Sequence, residues 1–145
     1  MTGVQTCALP ICRYLDHDAA LERLLGNSES GPLTPPNRLR FVTGVRRRQW
    51  HRNCVAIGLS GGFMEPLEST SIHLIQRAVL RLIRMMPLNG ISERDVAEFN
   101  DQQFQDMEQI RDFLILHYKA TDRRDSPFWR QGAAMDVPVS LAQIG

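Results

Sequence analysis

Gly61-Gly-Phe-Met-Glu-Pro-Leu-Glu-Ser-Thr-Ser-Ile-His-Leu-Ile75 is the most informative stretch of this sequence. A glycine-rich turn leads past two acidic residues into a predicted helix, which begins near Ser69, Thr70 and Ser71. The first backbone N–H groups of a helix have no intrahelical acceptor and lie at the positive end of its dipole. Small side chains let an anion approach these amides closely, so the stretch predicts an anion site.

Glu68 lies beside this predicted site, and two interpretations of it remain open on the residues alone. A carboxylate competes with a bound anion, so its presence there is unusual and suggests a chemical role. Alternatively, Glu68 only stabilises the start of the helix through the dipole, by about 0.3–1 kcal/mol.

Helical periodicity dominates the chain after this stretch. Apolar residues recur at spacings of three and four and predict a helix that ends before Pro87: Ile72, Ile75, Val79, Leu82 and Met86. Ser92 and Asp95 predict a capping box for a longer helix to about Tyr118. Its expected inner face consists of Val96, Phe99, Gln103, Met107, Ile110 and Leu114.

The remaining segments predict a mainly α fold with a few β-strands. Asp16 is the expected N-cap of a helix over residues 16–25, and a proline-containing loop follows to Asn37. Alternation over residues 38–43 predicts a strand, and a second, buried strand is expected from Cys54 to Ile57. We expect residues 121–145 to be loop-like.

Composition indicates an ordinary globular protein and excludes several classes. The 145 residues are 43% hydrophobic and 23% charged, with a formal net charge of +1. No apolar run approaches the roughly 20 residues of a membrane span. The basic run Arg46–Arg48 is better explained as a solvated face than as a nucleic-acid site, and the histidines show no metal-ligand spacing. We therefore expect a cytoplasmic protein without nucleic-acid or membrane partners and without a metal.

Residues 1–11 read as the in-frame translation of a common sequencing adapter. They also lack the basic n-region and long apolar stretch of a signal peptide. We therefore treat residues 1–11 as an artefact and residues 12–145 as the protein. The natural chain is then expected to extend upstream.

Four segments, in order, closely resemble the flavin-dependent tryptophan halogenases: residues 39–50, 53–76, 110–118 and 125–130. The resemblance covers nearly everything from about Arg13 onward. It implies that residues 12–145 are the C-terminal, halide- and substrate-side part of a larger α/β flavoprotein, truncated at both ends. The implied activity is FAD-dependent halogenation of a tryptophan- or indole-like substrate, through a flavin hydroperoxide and hypohalous acid.

The same resemblance implies roles for individual residues. Glu68 is the catalytic glutamate, and the backbone amides of Thr70 and Ser71 bind the halide. Ser71 departs from the glycine that tryptophan-specific relatives usually have. Leu59 and Ile72 match positions that contact the flavin.

The substrate side is implied by aromatic residues near the end of the chain. Tyr118, Phe128 and Trp129 resemble the residues that sandwich an indole ring; as an alternative, Phe128 and Trp129 are core residues. His117 and Arg124 stand where tryptophan-specific members have a second tyrosine and an acid. This departure widens the expected substrate to another indole or a phenol.

The implied cofactors and partners are reduced FAD from a separate flavin reductase, chloride or bromide, dioxygen, a small aromatic substrate, and the missing N-terminal flavin-binding portion. A Gly-x-Gly-x-x-Gly fingerprint is absent from the sequence, so we expect the chain alone to be inactive. Two other functions remain open: a non-catalytic helical interaction domain, and a related flavin monooxygenase that hydroxylates. A self-sufficient core would favour the interaction domain, whereas an exposed apolar face would favour the halogenase.

Overall fold

A computed structural model describes residues 14–38, 43–64 and 67–142, without the side chain of Glu68. Helices dominate this part of the chain, as the periodicity predicts. They are α1 (His17–Gly26), α2 (Thr70–Arg84), α3 (Glu93–Lys119), α4 (Pro127–Ala134) and α5 (Val139–Ala142). The mainly α fold class is therefore confirmed.

Two short antiparallel pairs of strands precede α2. Strand β1 (Gly44–Val45) pairs with β4 (Gly62–Phe63), so that Gly44 faces Phe63. Strand β2 (Trp50–His51) pairs with β3 (Cys54–Val55) in a tight hairpin. Together they form a small β-layer, which β2 attaches to α3.

Two of the predicted N-caps are confirmed. The Asp16 carboxylate accepts hydrogen bonds from the backbone N–H groups of Asp18 and Ala19, at 2.9 and 2.8 Å. The Ser92 hydroxyl accepts one from the N–H of Asp95 at 3.1 Å. Each bond satisfies an amide that the helix itself leaves without an acceptor, which is why these residues set where α1 and α3 begin.

The core lies between α3, the start of α2 and the β-layer. Met64, Met107 and Leu114 are buried in one cluster, with Val45, Leu67, Leu74 and Ile110 packed against it. Near the other end of α3, Trp50 packs edge-on against Phe99 with ring centroids 5.4 Å apart. The buried side of α3 therefore agrees with the predicted inner face.

The C-terminal segment corrects the expectation of a loop, since it contains α4 and α5. Ser126 is the N-cap of α4, and Pro127 occupies its first turn. Proline favours that position because its fixed φ suits a helix and its missing N–H would have no partner there. The Ser126-Pro127 pair therefore indicates the start of a helix in the sequence itself.

Two other expectations concern the strands. The strand predicted over residues 38–43 falls largely on residues 39–42, which lie outside the described residues. The second strand is confirmed in part, because it covers only Cys54 and Val55. Cys54 itself is exposed rather than buried.

Candidate functional site

The start of α2 is built differently from that of the other long helices. A 3₁₀ turn, Leu67–Ser69, leads directly into Thr70. Ser69 has a left-handed backbone, with φ of 59° and ψ of 24°, and its side chain makes no capping hydrogen bond. A non-glycine residue in this region is uncommon and marks local strain of the kind found at functional sites.

The predicted anion-binding residues occupy the first two positions of this helix. Thr70 is buried and Ser71 is partly buried. No acidic residue lies in the first turn of α2, whereas basic residues lie in its last turn. The start of the helix therefore has the positive dipole end and the small side chains that an anion needs.

Glu68 lies in the 3₁₀ turn, two residues before Thr70. Its side chain, together with Glu65 and Pro66, lies outside the described residues. Glu68 is therefore close in sequence to the predicted anion site. Its catalytic role stays a prediction.

The glycine-rich turn before α2 is packed too tightly for larger residues. A Cβ on Gly61 would lie 2.9 Å from the backbone oxygen of Ala56 and 2.8 Å from Oε1 of Gln49. One on Gly62 would lie 2.9 Å from the backbone oxygen of Gly44 and 2.5 Å from Cε of Met107. Gly58 has a φ of 68°, which favours glycine. These glycines hold the turn against Gln49 and α3.

The two residues predicted to contact a flavin are exposed apolar side chains. Leu59 is 73% exposed and Ile72 is 66% exposed. The turn that carries Leu59 packs against α2, since a Cβ on Gly58 would lie 3.2 Å from the Ile75 side chain. Exposed apolar side chains can pack against the face of an aromatic ring system. Leu59 and Ile72 therefore fit a flavin ring.

The apolar stripe of α2 points outward. Its residues Ile72, Ile75, Val79 and Ile83, called here the α2 outer face, are all exposed. The buried residues of α2 are instead Thr70 and Ala78. Of the residues that periodicity predicted, Ile72, Ile75, Val79 and Met86 are exposed and Leu82 is partly buried; Ile83 was not predicted. The described residues do not cover this face.

An ion cluster around a buried carboxylate, not anticipated from the sequence, joins α2 to α3. The buried Asp106 carboxylate accepts from Arg77 and Arg81, each at 2.7 Å. The hydrogen bond that Arg77 donates to Asp106 raises the pKa of Arg77 above its usual value. Arg81 also donates to Gln102 at 2.8 Å and to Gln103. The spacing of Arg77 and Arg81 by four residues was the only signal of this cluster.

A small cleft of about 50 Å³ lies beside the start of α2. Ser71 lines it together with Gly58 and Leu59 from the turn and with Gln49 from the chain before β2. Gln49 is buried, and the sequence contained no sign of its position at this site.

The predicted substrate residues form an aromatic cluster where α3 ends and α4 begins. The Tyr118 ring lies 5.9 Å from Phe128 and 6.0 Å from Trp129, and Phe128 lies 5.0 Å from Trp129. Tyr118 is buried, whereas Phe128 and Trp129 are partly buried. The rings pack on one another, as core residues do, and the two on α4 retain exposed surface.

Charged residues border this cluster. The Arg123 guanidinium lies 4.5 Å from the centroid of the Trp129 ring. It also donates to Asp125 at 2.8 Å, and this hydrogen bond lowers the pKa of the Asp125 carboxyl. His117 is exposed and contacts Phe113 instead of the cluster, while Arg124 donates to the backbone oxygen of Thr121 at 2.6 Å.

The described residues offer little support for other kinds of site. Within residues 14–38, 43–64 and 67–142, no group of three His, Cys, Asp or Glu side chains is arranged to hold a metal ion. None of the helices described combines the length and apolar composition needed to cross a bilayer. Arg46, Arg47 and Arg48 are exposed, and Arg46 donates to the backbone oxygen of Ser60 at 2.7 Å.

Comparison with known proteins identifies similar sequences. The model of the tryptophan halogenase family matches residues 10–144 of this chain. A tryptophan 7-halogenase from Lentzea aerocolonigenes is 37% identical over 119 residues, which are 81% of this chain and 22% of that protein.

Solved structures show the same similarity. A flavin-dependent halogenase from Brevundimonas sp. BAL3 is 46% identical with a TM-score of 0.78, over 90% of this chain and 27% of its own. One from Xanthomonas campestris is 50% identical with a TM-score of 0.77, over 90% of this chain and 26% of its own. The chain thus spans between 22% and 27% of the length of these three relatives.

Proposed function

This chain belongs to the tryptophan halogenase family, and we propose that the complete protein is a flavin-dependent oxidoreductase that halogenates an aromatic, indole-like substrate. Residues 12–145 form the halide and substrate side of that enzyme. The observation that carries this proposal is the start of α2, where Ser69 adopts a left-handed backbone and provides no side-chain cap.

The halide binds at the first amides of α2. Thr70 and Ser71 supply the backbone donors, and the helix dipole adds a positive potential at the same place. Their side chains are small, so the anion can reach the backbone. The strained Ser69 supports this assignment, because it positions the helix start without using a side chain to cap it.

Glu68 acts on the electrophilic halogen and the substrate ring. Its place in the turn before Thr70 supports a carboxylate close to the halide. There it positions the electrophile or removes the proton from the halogenated ring. A fixed carboxylate stabilises the positive charge that develops on an aromatic ring during such a substitution.

Reduced FAD, delivered by a separate flavin reductase, fits the exposed apolar residues Leu59 and Ile72. When bound, it supplies with dioxygen the oxidising power that converts chloride or bromide into an electrophilic halogen. Leu59 and Ile72 contribute an apolar contact surface and exclude water on that side of the halide site.

The aromatic cluster of Tyr118, Phe128 and Trp129 holds the substrate ring. The partly exposed rings of Phe128 and Trp129 offer a stacking surface on α4. Arg123 lies over Trp129 and is paired with Asp125, so an ion pair borders this surface. His117 and Arg124 favour an indole or phenol other than free tryptophan.

The α2 outer face supports an enzyme larger than this segment. Four exposed apolar residues at helical spacing form a surface that soluble proteins normally cover. We assign its cover to the flavin-binding portion of the same protein, which the relatives' greater length suggests. A self-sufficient interaction domain would have buried this face.

Reconstitution of the complete enzyme tests the activity. The purified protein is combined with FAD, a flavin reductase, NADH, dioxygen and either chloride or bromide, and a panel of indoles and phenols is analysed by mass spectrometry. We expect a halogenated product that depends on halide. An oxygenated product formed equally well without halide would instead identify a hydroxylating monooxygenase.

A long-read sequence of the source DNA across the codon for Cys12 tests the proposed organisation. We expect the upstream DNA to encode, in frame, a Gly-x-Gly-x-x-Gly motif and a flavin-binding region. A genuine start at residue 1 would contradict both the adapter interpretation and the proposed whole enzyme.

A further inference from the structure

Gln49 has a buried donor for which the described residues provide no acceptor. Only 5% of the residue is exposed to solvent. The Nε2 atom is buried and has no hydrogen-bond acceptor among the described residues. Buried side-chain donors in native proteins are nearly always paired, so this atom indicates a ligand or an ordered water.

The hydrogen-bond network around Gln49 fixes which end of its amide lacks a partner. Arg81 donates from Nη1 to Oε1 of Gln103, and a guanidinium can only donate. Nε2 of Gln103 must then point to the other side, where it donates to Oε1 of Gln49 at 3.2 Å. Exchanging the oxygen and nitrogen of Gln49 would place two donors against each other, so its unpaired atom is a donor.

The rest of the residue is held in place as well. The backbone N–H of Gln49 donates to Oδ1 of Asn100 at 2.7 Å. On the other side, Gly61 approaches so closely that a Cβ there would lie 2.8 Å from Oε1 of Gln49. The donor is therefore preorganised and does not depend on a flexible side chain finding a partner.

Gln49 and Ser71 line the same cleft of about 50 Å³. Its other lining residues are mostly apolar or glycine, and no carboxylate belongs to the described lining. Since one water occupies roughly 30 Å³ of liquid, the cleft admits one monatomic ion or a water or two. A buried donor beside the positive end of a helix favours a small anion.

We propose that Gln49 is a halide-binding residue that donates from Nε2 to the halide held at the start of α2, an inference that rests on the proposed halogenase function. The halide then receives a side-chain hydrogen bond in addition to those of the backbone amides of Thr70 and Ser71. The buried chain of Arg81, Gln103 and Gln49 keeps that donor directed at the ion.

Chloride affinity of the complete enzyme, measured by chloride NMR line broadening without substrate or reductase, tests this role. The apolar variant Gln49→Met keeps the side-chain volume but removes the donor. We expect its chloride dissociation constant to rise about tenfold, the effect of losing one hydrogen bond to a charged partner. The KM for halide should rise in parallel, whereas the KM for the aromatic substrate should not change.

Two further variants keep the test decisive. Gln49→Glu is nearly isosteric and replaces the donor with a negative group, so it should weaken chloride binding more than Gln49→Met does. Gln105→Leu changes an exposed glutamine on α3 and should leave chloride affinity unchanged. Circular dichroism and thermal melting establish that each variant is folded.

The outcomes separate this inference from the proposed function. Wild-type enzyme that binds no chloride and forms no halogenated product would overturn both. Wild-type enzyme that binds chloride, with folded Gln49→Met and Gln49→Glu variants of equal affinity, would overturn only the role of Gln49. In that case the donor serves an ordered water.

Discussion

Helices α2 and α3 both begin after a serine, but the two serines behave differently. Ser92 has an extended backbone, and its hydroxyl accepts from the N–H of Asp95 at 3.1 Å. Ser69 has a left-handed backbone and provides no side-chain cap. The same residue type therefore stabilises the start of α3 and leaves the start of α2 shaped by the turn before it.

The apolar faces of α2 and α3 also differ, in how far they are buried. α3 buries one apolar face, on which Leu114 is only 1% exposed, while α2 leaves Ile83 61% exposed. α3 thus stabilises the described segment. α2 instead exposes its outer face and provides the helix start at which an anion can bind. This division leads us to expect that substitutions on α3 affect stability and those at the start of α2 affect activity.

Glu68→Gln should have the largest effect. In the complete enzyme we expect halogenation to fall by about 10²- to 10⁴-fold, the range for loss of a group that transfers a proton. Flavin binding, followed by fluorescence titration, should not change. The reason is that the variant removes the charge but keeps the shape of the side chain.

Glu93→Gln is the matched control, because Glu93 is an acidic residue in the first turn of α3. It should lower stability by about 0.3–1 kcal/mol and leave activity intact. If Glu68→Gln behaved in the same way, Glu68 would be a helix-start residue only.

Leu114→Ala should show the next largest effect. Removing this buried side chain is expected to lower the free energy of unfolding by about 2–5 kcal/mol, measured by chemical denaturation. Ile83→Ala on the α2 outer face is the comparison. If Ile83→Ala destabilises the complete enzyme as much as Leu114→Ala does, another part of the enzyme covers this face. A negligible loss of stability would argue against the flavin-binding portion docking on it.

Trp129→Ala tests the aromatic cluster. Loss of one stacking surface, worth about 0.5–1.5 kcal/mol, should raise the substrate KM about two- to tenfold or shift the position of halogenation. Steady-state kinetics and product analysis measure both. Unchanged kinetics together with lower stability would make Trp129 a core residue.

The smallest expected effect is the difference in stability between the Ser92→Ala and Ser69→Ala variants. The first removes a capping bond and should cost about 1 kcal/mol of stability. The second removes no capping bond and should cost much less. Thermal denaturation of the two variants side by side gives the difference, and equal losses would contradict the contrast between the helix starts.

The sequence was sufficient for the parts of the fold that depend on local chemistry. The three- and four-residue spacing located α2 and α3, and the side chains of Asp16 and Ser92 identified two helix starts. α4 was missed because eight residues carry too little periodicity, although Ser126 and Pro127 marked its beginning.

The site was less accessible from sequence, since its geometry depends on tertiary contacts. Periodicity identified Ile72, Ile75 and Val79 of the α2 outer face but not Ile83, nor whether another element covers the face. Gln49 belongs to no sequence motif, and the orientation of its side-chain amide follows only from Arg81 on α2 and Gln103 on α3. The exposure of Cys54 likewise depends on a hairpin shorter than the predicted strand.

Bromide anomalous diffraction from crystals of the complete enzyme tests the central claim most directly. The account predicts an anomalous peak within hydrogen-bonding distance of the backbone amides of Thr70 and Ser71 at the start of α2. Bromide bound only at other positions, in an enzyme shown to be folded and loaded with flavin, would contradict it.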